Sequence, residues 1–152
     1  MPINYREATL DDLPTLLALE QCVVEAERPF NSAIKHGKPL YYDIEDLISS
    51  SNAYLVVAEH DGEIIATGYA QIRQSKQSLE HKFHSYLGFM YVVERWRGQG
   101  INQRVLGLLK TWSQKQGAKH LYLDVYVKNA AAIKAYEKAG FDPLMVEMTL
   151  RT

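Results

Sequence analysis

The stretch from Phe83 to Trp112 constrains the fold of this chain more than any other. A β-rich run from about Phe83 to Val93 passes through Arg95-Trp96-Arg97-Gly98-Gln99-Gly100 directly into a helical pattern. There Ile101, Val105, Leu108, Leu109 and Trp112 recur at the spacing of one helical face. A strand that ends in a Gly-x-Gly loop and opens a helix gathers unpaired backbone N–H groups around one point. With the helix dipole behind them, those groups form an anion site. Gly98 and Gly100 omit side chains that would block close backbone approach, and Arg95 and Arg97 add positive charge. A dinucleotide fingerprint would need a third glycine at position 103, where Gln stands, and a nucleotide P-loop would need Gly-Lys-Ser/Thr. A tight strand-to-helix turn explains the same two glycines without any ligand.

The rest of the chain supplies the elements around this unit. Ile3 to Glu7 alternates as a short strand. Thr9 to Asp12 offers capping oxygens for a helix that runs to about Val24, with Pro14 in its first turn. Pro29, Gly37 and Pro39 break the next segment, and a shorter helix is expected from about Asp43 to Ser49. Tyr54 to Ala58 and Ile64 to Ile72 are β-rich and flank Asp61-Gly62, a hairpin signal. Gln74 to Lys82 is polar and reads as an exposed connection. After Gly117, Leu121 to Val125 forms a strand, and Asn129 caps a last helix that Gly140 ends. Met145 to Leu150 alternates as a closing strand. The order predicts a mixed α/β layer structure in one domain spanning residues 1–152.

Two motifs together resemble the GNAT superfamily of acyl-CoA-dependent N-acetyltransferases. Arg95, Gly98 and Gly100 match its acyl-CoA loop pattern, Gln/Arg-x-x-Gly-x-Gly/Ala. Asn129, Ala132, Tyr136 and Gly140-Phe141 match its second block, Asn-x-x-Ala-x-x-x-Tyr-x-x-x-Gly-Phe, at the same spacing. The resemblance implies a central, mostly antiparallel mixed sheet, splayed at the long fourth strand and flanked by about four helices. It implies acetyl-CoA as cosubstrate and direct transfer of the acetyl group to an amine in a ternary complex.

Carried over residue by residue, the backbone from Arg97 through Gly98, Gln99, Gly100 and Ile101 to Asn102 would hold the CoA pyrophosphate. Met90, Tyr91 and Val92 would bond the pantetheine arm and offer N–H to the oxyanion. Gly88 suits the bulge that begins the splay, or is simply a weak spot in a strand. Tyr136 aligns with the tyrosine that acts as acid toward the CoA sulfur; a core aromatic is the other reading. Asn129 would bond the cofactor as well as cap its helix, or cap alone. A base is expected on or near the long strand, where His84 is the best-placed candidate, with a pKa near 6.5 in isolation. A surface histidine, with a water chain as base in its place, is the favoured reading of His84, and Glu94 reads as structural.

The charges are divided along the chain. Residues 1–76 hold six basic and twelve acidic side chains, and residues 77–152 eleven and six, within a net charge of −1. The basic excess suits a polyanionic CoA. Glu25, Glu27, Phe30, Tyr41, Tyr42, Asp43, Glu45 and Asp46 fall where the family builds its acceptor site, and carboxylates with aromatics suit a cationic amine; exposed helix charge and core aromatics explain the same residues equally well without a ligand. The acceptor would be a small-molecule amine or a protein lysine or N-terminal amine. A non-catalytic acyl-CoA-binding or regulatory module on the same fold is the alternative. Dispersed lysines without aromatic interleaving speak against nucleic acid. Cys22 is the one cysteine and has no partners at metal-ligand spacing, so no metal is expected. No run reaches a membrane span, and a cytoplasmic location is expected. Because about a dozen residues follow Gly140, either the last strand is short or a neighbouring chain completes the sheet, giving a homodimer.

Overall fold

The computed structural model describes residues 2–152. Five strands, β1 (Asn4–Glu7), β2 (Ala53–His60), β3 (Glu63–Gln74), β4 (Phe83–Val92) and β5 (Leu121–Tyr122), lie side by side in chain order. The first four pair antiparallel, and β5 joins β4 in parallel. The β2–β3 hairpin turns on Asp61 (φ 53°) and Gly62 (φ 80°). Two successive left-handed residues are the geometry that an Asp-Gly pair accommodates between twisted strands.

Helices α1 (Leu13–Glu27) and α2 (Ile44–Ser49) cover one face of the sheet, and α3 (Ile101–Lys115) and α4 (Ala130–Lys138) cover the other. The alternation of a strand divides the core between these faces. Leu55 and Val57 pack with Leu16, Val23 and Leu47, whereas Val56 packs with Val105, Leu106 and Leu109. Asp12 receives N–H from Thr9 at 2.8 Å and binds Arg6 at 2.8 Å, and Arg6 also reaches Glu59 at 3.0 Å. The start of α1 is thereby tied to β1 and β2. Hydrogen bonds from Arg6 hold the Asp12 carboxyl below the usual range.

The expected closing strand over Met145–Leu150 does not form. These residues run as irregular chain, with Leu144, Met145, Val146, Met148 and Leu150 all exposed. The physical reason is that nothing in the chain's own core receives the apolar side chains of this segment.

Candidate active site

The sheet opens between β4 and β5. Their register comprises Ser85↔Leu121 and Tyr86↔Tyr122, after which β4 continues to Val92 and residues 123–127 diverge from it. A bulge in β4 sets the direction of the opening. Thr67 faces Tyr91 and Tyr69 faces Gly88, so Gly68 opposes two residues, Phe89 and Met90. Phe89 takes a left-handed φ of 52°, and its carbonyl accepts from the buried Thr67 hydroxyl at 2.7 Å. The extra residue re-aims the strand: Leu87 packs on the α3 side, yet Phe89 packs on the α1 side and stacks on Tyr42 at 4.9 Å. Gly88 is required by close approach, since a Cβ there would lie 2.5 Å from the Tyr69 ring.

At the open end of the cleft a 3-10 turn, Glu94–Trp96, leads to Gly98 and Gly100 at φ 78° and 79°. Both glycines hold conformations that disfavour a Cβ, while neither would meet a neighbouring atom. Among the described residues, the N–H groups from Gly98 to Asn102 donate to no other backbone group, and they crowd the N-terminus of α3. The Arg97 N–H is already engaged by the Glu94 carbonyl at 3.1 Å. Its side chain donates from Nε to the Val92 carbonyl at 2.8 Å and lies over Tyr91. Arg95 instead turns to Glu63, at 2.6 and 2.7 Å.

The α1 C-terminus meets the opposite wall. Phe30 stacks on Tyr126 at 6.0 Å, and Asn31 Nδ2 donates to the Tyr126 hydroxyl at 3.0 Å. Glu27, the last residue of α1, is half-buried here. Burial pushes its carboxyl above the ordinary carboxylate value. Its charge acts on Tyr41, Tyr42 and Tyr136. Tyr136 is packed against Phe141, and burial, with Glu27 as a lesser cause, pushes its hydroxyl to about 12. It therefore stays protonated at neutral pH. Asn129 accepts from the Ala132 N–H at 3.2 Å, which fixes the start of the helix that carries Tyr136. Tyr41 and Tyr42 are held in turn by buried Glu20, whose Oε2 receives their N–H groups at 2.7 and 2.8 Å.

His84 lies elsewhere. Ser75 Oγ bonds Nδ1 of both His84 (2.8 Å) and His81 (2.6 Å), and His81 Nε2 meets the Tyr122 hydroxyl at 2.8 Å. Six residues of strand separate His84 from Met90, a span of about 20 Å. Burial, then the neighbouring His81 and Arg73, hold the His84 imidazole below its ordinary pKa. The arrangement ties the β3–β4 connection to β5. The sequence places Glu27 only among acceptor carboxylates and carries no signal for Tyr86, whose hydroxyl donates to Asp124 at 2.8 Å across the apex of the opening. Burial and Asp124 push that hydroxyl upward. No local pattern links two residues this far apart in sequence.

Beside the cleft, a cavity of about 200 Å³ is lined by Tyr41, Tyr42, Asp43, Asp46, Leu47, Tyr69, Gln71 and Arg73. Two carboxylates, three tyrosines and one cation line it, and the guanidinium of Arg73 stacks over Tyr86, 3.9 Å from the ring centre. Among the described residues no cluster of His, Cys, Asp and Glu could hold a metal ion, and no helix is long and apolar enough to cross a membrane.

Comparison with known proteins agrees with this geometry. An N-alpha-acetyltransferase of Sulfurisphaera tokodaii is 30% identical over 151 residues, covering 94% of this chain and 82% of that protein. A mutant of the BH1408 protein from Bacillus halodurans superposes with a TM-score of 0.87 at 21% identity, covering 100% of this chain and 99% of that one. A predicted acetyltransferase from Clostridium acetobutylicum, solved with acetyl-CoA, gives 0.76 at 19% identity, covering 99% and 96%. Residues 20–141 match the Acetyltransferase (GNAT) family. With its splayed sheet and its glycine loop at the mouth of the splay, the chain belongs to that family and is an N-acetyltransferase.

Proposed function

We propose that the chain transfers the acetyl group of acetyl-CoA to the α-amino group of a peptide or protein N-terminus. The observation that carries this reading is the aromatic cavity beside the cleft, where Asp43 and Asp46 outnumber Arg73 among three tyrosines, a lining that suits a primary ammonium group. The name of the Sulfurisphaera tokodaii relative supports the α-amine over other amines.

Glu27 takes the proton of the bound ammonium, because a carboxyl raised by burial is a stronger base than one in water. The freed amine attacks the thioester carbonyl, a C–N bond forms, and the carbonyl oxygen becomes an oxyanion facing the backbone N–H groups of Met90 to Val92. Collapse breaks the C–S bond. Tyr136, protonated at neutral pH, donates to the departing thiolate and is reprotonated by way of solvent as the second amine proton leaves, and Glu27 releases its proton to solvent. The phosphates rest on Gly98, Gln99, Gly100, Ile101 and Asn102, with the Arg97 side chain alongside. Asn129 acts through the helix cap. Glu27, whose charge acts on the Tyr136 hydroxyl, is assigned the base role in place of His84.

An acceptor panel monitored by free thiol tests this directly. Short peptides with free N-termini are expected to release CoA thiol faster than the same peptides N-acetylated, and faster than free lysine or a polyamine. Thiol release with the polyamine alone would reassign the acceptor, and no release with any amine would overturn the reading.

A further inference from the structure

The cavity beside the cleft carries opposite charges on its lining. Asp43 and Asp46 stand at the start of α2, and Arg73 stands near the end of β3. The carboxylates account for an ammonium group, but they leave the guanidinium unexplained. Arg73 is exposed and forms no ion pair among the described residues. It is nevertheless held in place. Its Nε donates to Gln71 Oε1 at 2.9 Å, and the guanidinium lies 3.9 Å from the centre of the Tyr86 ring. An arginine whose plane is fixed in this way loses less freedom on binding, and its planar fork matches a carboxylate.

The end of the sheet around Arg73 is rich in imidazole. His84 stands opposite Arg73 in the β3–β4 pairing, and His81, beside His84, stacks on His120 at 4.2 Å. Asp124 belongs to this side of the opening, but it already accepts from the Tyr86 hydroxyl at 2.8 Å. Donors for an anion are therefore gathered here, and the carboxylate beside them is engaged.

Arg73 is too far from the reacting atoms to touch the amine. Tyr86, which lies against Arg73, precedes Met90 by four residues of β4, a span of about 13 Å at the rise of a strand. An extended peptide advances about 3.3–3.6 Å per residue. The carboxylate of a free amino acid, one residue from its amine, falls short of the guanidinium. A side-chain carboxylate on the second or third residue of a peptide reaches it.

We propose that Arg73 determines acceptor specificity by binding a side-chain carboxylate on the second or third residue of the peptide whose α-amine is acetylated. The proposal rests on the reading of a peptide N-terminus as acceptor, and it adds a sequence preference to it. A polyamine would set a second cation against Arg73, so the same residue that attracts acidic peptides turns such amines away.

The test compares kcat/KM, read by free thiol, for peptides with free N-termini that differ only in carrying Glu, Gln or Lys at positions two and three. For the wild type, Glu is expected to exceed Gln by about 3- to 10-fold, with Lys below Gln. The advantage of Glu is expected to shrink as salt is raised, a measurement that needs no variant. Arg73→Gln is expected to bring the three peptides together, and Arg73→Glu to reverse their order. Each ratio is taken within one variant, so a general loss of folded protein cancels. Equal use of the three peptides by the wild type, a Glu preference indifferent to salt, or one that survives in Arg73→Gln would overturn the proposal and leave α-amine acetylation standing. No release with any peptide would overturn both.

Discussion

In the proposed mechanism Glu27 joins stability to catalysis in a single carboxyl. Burial favours its neutral form, so its pKa in the folded chain lies above the unfolded value. By linkage, the stability this group contributes is present in full below the unfolded pKa and is lost as pH rises through the folded one. Neutral pH, where the base is competent, is therefore where it weakens the fold. Glu27→Gln is expected to lower kcat by about 10²- to 10⁴-fold and to abolish the acid limb of the pH profile. The variant is also expected to be more stable than the wild type at neutral pH, with the difference closing in acid. Paired turnover and denaturation series across pH would check both. Unchanged turnover, measured where chemistry limits the rate, would remove Glu27 from the base role.

The bulged strand β4 shows how one element positions several groups. Thr67 holds the Phe89 carbonyl, Gly88 clears the Tyr69 ring, and Phe89 turns to stack on Tyr42. Gly88→Ala forces a Cβ against a ring that is 4% exposed, and overpacking of that kind costs about 1–3 kcal/mol. Chemical denaturation is expected to show that loss, with acetyl-CoA affinity falling because the bulge aims the cleft edge. At this scale the sequence was informative where the chemistry is local. The Gly98–Gly100 loop, the Asp61-Gly62 turn and the Asn129 cap each rest on residues within a few positions of one another. Glu27 near Tyr136, Asn31 on Tyr126 and Tyr86 on Asp124 bring together residues about 38 to 109 positions apart, which only the completed fold can do. His84 has the intrinsic pKa and the strand that a base needs, but the pairing of β3 with β4 puts it with Ser75 and His81.

Across the whole molecule, the net charge of −1 conceals how the charges are used. Arg95, part of the basic excess, is matched by Glu63 on the surface, where such a pair contributes little stability. Arg97 remains beside the glycine loop. The acidic excess divides between a scaffold role, as in Asp12 and Glu20, and the cavity that takes Asp43 and Asp46.

The junction of β4 and β5, two residue pairs long, has a consequence for the lifetime of the chain. An element held by so few ladder bonds opens at a lower free energy than the body of the sheet, and opening of this kind exposes backbone to proteases. Acetyl-CoA bound in the wedge, as proposed, would bind the closed form and so withhold the open one by mass action. Limited proteolysis is expected to cut first beyond residue 122 and to slow as acetyl-CoA is added; cuts that begin within β2 or β3, or a rate indifferent to acetyl-CoA, would contradict this. Substrate supply would then act as a protective agent, with starved molecules degraded before busy ones.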